Sequence, residues 1–376
     1  MLANIARARA VMAEKGLDAI LLAQPNNFVY ATDFPVPSTF SFLDRPFLAL
    51  LFRDPAIEPV AIVPGWDLPD FRRRSWMTRA IGYAEFRTDR DVDLMPNWRA
   101  ALKVCLQDAN GVIKLGVEER YLPKWVLEAL IEDVPSMTLV DSTSTIRTIR
   151  SVKMPEEIRR LRIAATIMEN AVALMLNSAE DGITEREMGI IYATEVSRQG
   201  GENIANFVLG FGVDSGFSHC VPGDRRLAPG DVIRFDLGAR YMGYYADTAV
   251  SRFWRRAGDR QELLYNAMLD SQRAGAAMLR PGVSVSDIYK KAIEVARKSI
   301  PDFRMEHVGH GLGVEHHENP PLTASSDVVL EADMVINVET LYLDPEFGGF
   351  GIEDTYLITA DGAEQWTHFD RAIQLG

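Results

Sequence analysis

Cysteine is nearly absent: the 376 residues include only Cys105 and Cys220. Two thiols build neither a disulfide scaffold nor a cysteine zinc site, and their scarcity fits a reducing, cytoplasmic habitat. Long apolar runs are missing too. No stretch approaches the ~18 residues of a membrane span. The opening MLANIARARA continues as an amphipathic helix, without the apolar core or cleavage site of a signal peptide. Positive charge is in deficit, with 40 Lys and Arg against 53 Asp and Glu, a net −13. Such a chain is a poor general binder of nucleic acid or anionic lipid. What remains is globular in kind: 47% hydrophobic and 25% charged, with 27 Gly and 19 Pro, which excludes collagen-like and disordered chains. The length exceeds what one core usually supports, so two domains are expected.

Along the chain, a helix is expected over Ile5–Lys15, stopped by Gly16, with a buried strand over Leu17–Ala23. Residues 47–52 and 59–63 read as strands around the turn RDPAIE. A helix near 93–109, a strand at 113–118, a helix at 123–132 and a strand at 137–140 follow. This alternation reads as one α/β domain, residues 1–150, and it holds no catalytic constellation and no phosphate loop. Residues 141–155 are polar and Thr/Ser-rich. Pro155 with Glu156 and Glu157 behind it marks a helix start. The second domain, 151–376, is expected to be α+β, with helices at 155–178, 184–200, 259–279 and 284–298 and strands at 203–209, 231–238, 243–253, 334–343 and 350–359. It carries all six histidines. No repeat of 20–50 residues is evident.

The chemistry lies in two hairpins. A turn centred between Tyr241 and Met242 sets Asp236 opposite Asp247; a turn centred on Glu346 sets Glu339 opposite Glu353. Opposed strand residues sit about 4.5–5.5 Å apart at Cβ, where like charges repel, so two such pairs in apolar strands ask for cations. Asp354 points to the other face by strand alternation. The Gly-rich segment His307-Val-Gly-His310-Gly-Leu-Gly-Val-Glu-His316-His317 can add an imidazole. Four carboxylates and one imidazole suit a pair of divalent ions such as Mn, Co, Fe or Zn, and a two-ion site of this kind serves hydrolysis. Other motifs fail. His317-Glu318 is followed by Asn-Pro-Pro, so there is no HExxH, and Gly210–Gly216 misses both the dinucleotide fingerprint and the nucleophile elbow. Cys220 is expected to be a plain buried residue rather than a nucleophile.

The order Asp236, Asp247, His310, Glu339, Glu353 resembles the pita-bread metallopeptidases, which include prolidase, aminopeptidase P, methionine aminopeptidase and creatinase. Gly16-Leu-Asp-Ala-Ile-Leu-Leu with Pro25-Asn-Asn-Phe-Val-Tyr30 resembles the N-terminal start of the prolidase and creatinase branch, and Lys153-Met-Pro-Glu-Glu-Ile its inter-domain junction. The resemblance implies a creatinase-like α/β N-terminal domain before an α+β pita-bread catalytic domain. It implies two bound divalent ions, manganese first, with Asp247 and Glu353 bridging and His310 and Glu339 on one ion. Glu339 would stand close to the nucleophilic water. His219 and His317 would stand near the scissile group as hydrogen-bond donors or proton shuttles. His307 and His316 are expected to be satisfied loop histidines, and His368 structural or exposed. A homodimer is also implied, with the loop Phe34–Phe42 reaching toward the partner's site.

The implied activity is hydrolysis of an amide bond in a small substrate, of Xaa-Pro dipeptidase or aminopeptidase type. Departures from the family leave alternatives open. Glu339 is followed by Thr340-Leu341 rather than Pro-Gly, which would set a hydroxyl beside the metal site. Gly351 stands where proline-specific members have Arg. A small non-peptide substrate, creatine-like or ectoine-like, is the second reading. Gly238 replaces the additional Asp of the branch that cleaves dimethylsulfoniopropionate, which weakens that lyase reading. A catalytically inactive binding protein is the third, opposed by the full set of ligand types. Creatinase itself works without metal, so that set also argues against a close copy of it.

Overall fold

In a computed structural model, residues 3–36, 45–85, 94–108, 112–202 and 205–376 are described. The chain divides into two compact units, Met1–Arg150 and Ser151–Gly376.

The first unit is a six-stranded sheet flanked by short helices. Its elements are α1 (Ile5–Lys15), β1 (Ala19–Leu22), α2 (Pro25–Thr32), β2 (Leu48–Phe52), β3 (Val60–Pro64), α3 (Leu68–Arg74), β4 (Arg79–Tyr83), α4 (Trp98–Asp108), β5 (Lys114–Val117), α5 (Lys124–Asp133), β6 (Thr138–Asp141) and α6 (Thr143–Ser151). The strand order is β4-β3-β2-β1-β5-β6. Strands β1, β2 and β3 are buried along their whole length, which is why they read as continuous apolar runs. Helix α1 ends where Gly16 takes a φ of 65°, a conformation without penalty for glycine.

The stretch expected to be a polar junction is instead helical over α6. Asp141 accepts from the Thr143 backbone N–H at 2.9 Å, and Ile146 and Ile149, three apart, form its buried stripe. The short elements α2, α3 and β4 also escaped the sequence reading. Residues 37–42 of the loop expected to reach a partner lie outside the described residues. Phe34 at its start belongs to the core, packed against Phe47 and Phe71.

The second unit contains two four-stranded sheets. The first has the order β16-β11-β8-β7 and the second β12-β13-β14-β15. Its elements are α7 (Pro155–Asn177), α8 (Glu185–Arg198), β7 (Ala205–Phe211), β8 (Val232–Gly238), β9 (Arg240–Tyr241), β10 (Tyr244–Tyr245), β11 (Thr248–Trp254), α9 (Asp259–Ala276), α10 (Val285–Ala296), β12 (Gly309–Gly311), β13 (Val335–Asp344), β14 (Gly348–Ile358), β15 (Ala363–Gln365) and β16 (Gln374–Leu375). Helices α7 and α8 pack Met168, Val172 and Tyr192 against Leu209, Phe235 and Val250 of the first sheet. Helices α9 and α10 pack Met268 and Ile288 against Ile336, Val338 and Ile352 of the second. The sheets meet at β11 and β14, where the Thr248 hydroxyl donates to the Glu353 carbonyl at 2.8 Å and Ser251 bonds Gly351.

The two halves are built alike. Gly182 and Gly282, with φ of 84° and 86°, each open a turn into a helix. Gly182 N–H donates to Leu227 O and Leu227 N–H to Ile183 O, both at 2.9 Å; Gly282, Leu330 and Val283 repeat that pair at 2.9 Å. Asp236 and Glu339 then follow these leucines by nine residues each. The repeat spans about a hundred residues. Among the described residues, no helix is long and apolar enough to cross a membrane.

The segment carrying the histidines is pinned from below by an ion pair. Lys153 and Glu318, with side chains 0% and 3% exposed, meet at 2.9 Å. Glu318 also exchanges backbone hydrogen bonds with Gly311. Removing one partner of a buried pair leaves the other charge uncompensated, typically at about 3–5 kcal/mol. Lys153→Met should therefore lose about 3 kcal/mol or more in urea unfolding, and Lys153→Met with Glu318→Gln should recover part of that loss. Equal stability of the single variant and the parent would contradict this role.

Candidate metal centre

The glutamate hairpin has the register that its spacing predicts: Glu339 on β13 lies directly opposite Glu353 on β14. The aspartate hairpin does not. Tyr241 pairs with Tyr244, so the turn is Met242-Gly243, and Asp236 faces Ala249 rather than Asp247. Met242 and Gly243 both have positive φ, 46° and 86°, as a type I′ turn requires, and glycine in the second place draws the turn one position along the chain. Asp247 sits just before β11, 1% exposed, with its carbonyl held by Asn337 and Thr355. Both aspartates still line the same cavity, of about 580 Å³, together with His219, His307, His310, His316, His317, Glu339 and Glu353.

His310 on β12 is the hub. Its Nδ1 lies 3.0 Å from the Gly311 carbonyl, which accounts for the ring proton and leaves Nε2 with its lone pair free. That Nε2 lies 3.6 Å from Asp247 Oδ2, 3.8 Å from Glu339 Oε1 and 3.5 Å from Glu353 Oε1. Ligands at about 2.1 Å from one ion stand roughly 3.0–3.4 Å apart, so a small contraction makes these atoms a coordination shell. Asp247 Oδ1 is buried without a hydrogen-bond partner. Among the described residues, two groups could hold an ion, Asp247–His310–Glu353 and Asp247–His316–His317, and they share Asp247. The donor set therefore fits a pair of divalent ions.

The electrostatics point the same way. Burial first, and then Asp247, push Asp236 up to about 7. Burial and the charges of Asp247 and Glu339 lift Glu353 well above the usual carboxylate range. Burial also opposes ionisation of Asp247 and Glu339, but the histidines beside them win and hold both below their ordinary values. Burial and mutual repulsion thus raise two of the four carboxyls while histidines hold the other two down, and cations in the cavity would relieve the repulsion among all four.

His307 and His316, expected to be satisfied loop histidines, do have partners, but those partners are the site carboxylates and both rings line the cavity. His307 Nδ1 lies 3.2 Å from Glu339 Oε1, and His316 Nε2 lies 2.8 Å from Asp247 Oδ2. Burial opposes charge on His316, but Asp247 lifts it to about 9 in the bare site. His317 stacks on His310 at 3.7 Å and on His316 at 4.8 Å; partial desolvation and those two rings lower it to about 4. His219 reaches the cavity wall from an exposed position. Cys220 is half-buried, and burial raises its thiol, the opposite of an activated nucleophile.

Two further residues were missed by sequence reasoning, and both sit two positions before a site carboxylate on the same strand face. Asn337 donates to Glu353 Oε1 at 2.8 Å. Arg234, fully buried, donates to the carbonyls of Ser215, Phe217 and Ser218, the segment leading to His219, and lines the cavity. Its Nε lies 3.7 Å from where a side chain on Gly351 would begin. Thr340 does not face the site. Alternation turns it to the other side of β13, where its hydroxyl donates to Met268 O at 2.7 Å.

Cations entering this cavity must displace protons from Asp236 and Glu353. Metal affinity should therefore fall as pH drops from about 8 to about 6, with proton release seen as buffer-dependent heat in calorimetry. A pH-independent affinity with no proton released would contradict the arrangement.

Comparison with known proteins agrees with this geometry. Residues 159–360 match the model of metallopeptidase family M24, and residues 4–152 that of the creatinase/prolidase N-terminal domain. YkvY of Bacillus subtilis (strain 168) is 28% identical over 373 residues, covering 98% of this chain and 99% of its own. Among solved structures, the prolidase from Pyrococcus furiosus superposes with a TM-score of 0.80 at 24% identity, covering 96% of this chain and 100% of its own. The Xaa-Pro dipeptidase from Bacillus anthracis gives 0.83 at 23%, with 98% of each chain covered. With the fold, the paired carboxylates and the match over most of its length in agreement, the chain belongs to metallopeptidase family M24, and is a metal-dependent hydrolase of amide bonds with the pita-bread fold.

Proposed function

We propose that this enzyme cleaves Xaa-Pro bonds in small peptides, with Asp236, Asp247, His310, Glu339 and Glu353 holding two divalent ions. The observation that carries the site is the convergence of His310 Nε2 with oxygens of Asp247, Glu339 and Glu353. Manganese is the first choice, since oxygen donors dominate, with cobalt, zinc or iron as alternatives. Bound ions would supply a nucleophile at neutral pH and polarise the scissile carbonyl. Glu339, kept ionised by His307, would take the nucleophile's proton. His317, held low and so neutral at pH 7, would donate an N–H to the developing oxyanion, with His219 as a second donor lining the same cavity.

Two features support a peptide. Phe217 and Val221, 51% and 82% exposed, flank His219 in sequence and offer apolar surface for a ring such as proline. The solved structures whose fold this chain shares include proteins named prolidase and Xaa-Pro dipeptidase. One feature favours a small non-peptide amide or amidine instead: the wall at Gly351 bears no side chain. Arg234 places a positive charge there from β8, but its terminal nitrogens are committed to backbone carbonyls.

A screen of the Mn- and Co-loaded enzyme on Xaa-Pro dipeptides, longer Xaa-Pro peptides, creatine and ectoine-like rings separates these readings. Dipeptide cleavage at kcat/KM of about 10⁴ M⁻¹s⁻¹ or above is expected; none at all with fully loaded enzyme would sink the peptide reading. His219→Ala and His317→Ala should each lose roughly 10²–10⁴ in kcat while retaining metal, whereas His310→Ala should lose metal. Metal loss from His317→Ala as complete as from His310→Ala would show that its role is misassigned. A homodimer is the proposed assembly; light scattering at micromolar concentration should give twice the chain mass, and a monomer would refute it.

A further inference from the structure

We propose that His316 is a sixth protein ligand of the metal centre, binding through Nε2 an ion that it shares with Asp247. The inference rests on the two-ion reading and extends its ligand set from one imidazole to two.

Four observations carry it. His316 Nε2 approaches Asp247 Oδ2 at 2.8 Å, close to the spacing of neighbouring ligands around one ion. That nitrogen is buried and its partner in the cavity is Asp247 Oδ2 alone, while Asp247 Oδ1 beside it is buried without a hydrogen-bond partner. A divalent ion between the two groups would take the place of the proton that now joins them and would use the open Asp247 Oδ1 as well. The ring is also held in place, between the stacked His317 and the edge of Tyr245 at 6.1 Å. Its loop is fixed by Tyr245 N–H to Gly313 O at 2.9 Å and by Lys153–Glu318 beneath. Finally, Asp247 and His316 lie in a potential ion-holding group beside Asp247–His310–Glu353, and in this proposal its third member, His317, supports the His316 ring by stacking and is not a ligand. The shared aspartate sets a nitrogen-bearing position next to an oxygen-rich one.

A second imidazole shifts preference away from manganese and toward zinc, cobalt or iron. It also distinguishes the positions, so that mixed occupancy becomes possible in one centre.

The test compares the full-length parent with His316→Gln and His316→Val by zinc, cobalt and manganese titration of the metal-free proteins and by the visible spectrum of the cobalt forms. The parent should bind two ions. Both variants should lose zinc and cobalt affinity at one position by about tenfold or more, lose manganese affinity less, and change their cobalt spectrum. Two ions in the parent with unchanged affinities and spectra in both variants would overturn the proposal alone. Full recovery by Gln, which can hydrogen-bond Asp247 but is a poor ligand, would overturn it in favour of a hydrogen-bonding role. A parent that binds no ion would overturn the two-ion reading as well. Should the variants fail to fold, pulsed EPR of the manganese-loaded parent with ¹⁵N-histidine decides: two coupled histidine nitrogens support the proposal, and one refutes it.

Discussion

The repulsion among four carboxylates, three of them buried, governs this structure. Asp236, Asp247, Glu339 and Glu353 converge where the two sheets of the second unit meet, and Asp247, Glu339 and Glu353 are each at most 5% exposed. No arrangement of apolar side chains tolerates that much charge of one sign. The cavity lessens it with Arg234, with histidine rings against Asp247 and Glu339, and with a raised affinity of Asp236 and Glu353 for protons. Each of these is a partial substitute for divalent cations. The unpartnered oxygen of Asp247 is what such a requirement leaves in the absence of a cation's positive charge.

The scaffold meets that requirement by building the same half twice. A glycine turn, a helix and a leucine that locks the turn precede each first carboxylate by the same interval. Each half then folds back as an antiparallel pair, so that β8 with the start of β11 faces β13 with β14. Hydrogen bonds from Thr248 and Ser251 to β14 hold the two sheets in register. The histidine segment follows the same plan, since β12 beside β13 holds the place of β7 beside β8, and Gly210 in the first half stands opposite Arg234 as His310 stands opposite Asn337. Its position depends on Lys153 and Glu318, 165 residues apart in the chain.

Much of this was legible in the sequence, for reasons that can be named. Gly16 ends α1, Pro155 starts α7, and period-two apolar runs mark β13 and β14. The symmetric loop around Glu346 fixes the pairing of Glu339 with Glu353. The aspartate hairpin was misread because two neighbouring turn positions were compatible with the pattern, and only backbone φ at Met242 and Gly243 separates them. Helices α2 and α3, eight and seven residues long, are too short to show a period. Helix α6 hides among hydroxyl residues with weak helical preference. The duplication is hidden because its spacing of about a hundred residues is far longer than a 20–50-residue repeat and few residue identities mark it. Arg234 and Asn337 could have been found by stepping two residues back from each carboxylate. His307 and His316 could not, since an irregular loop has no period from which to read direction.

The most direct test is anomalous scattering from crystals grown with manganese. Two peaks are expected on either side of Asp247, one within bonding distance of His310 Nε2 and Glu353, separated by about 3.5–4 Å. A cavity with no peak at full manganese occupancy of the solution, or ions bound away from Asp247, would contradict the dinuclear centre.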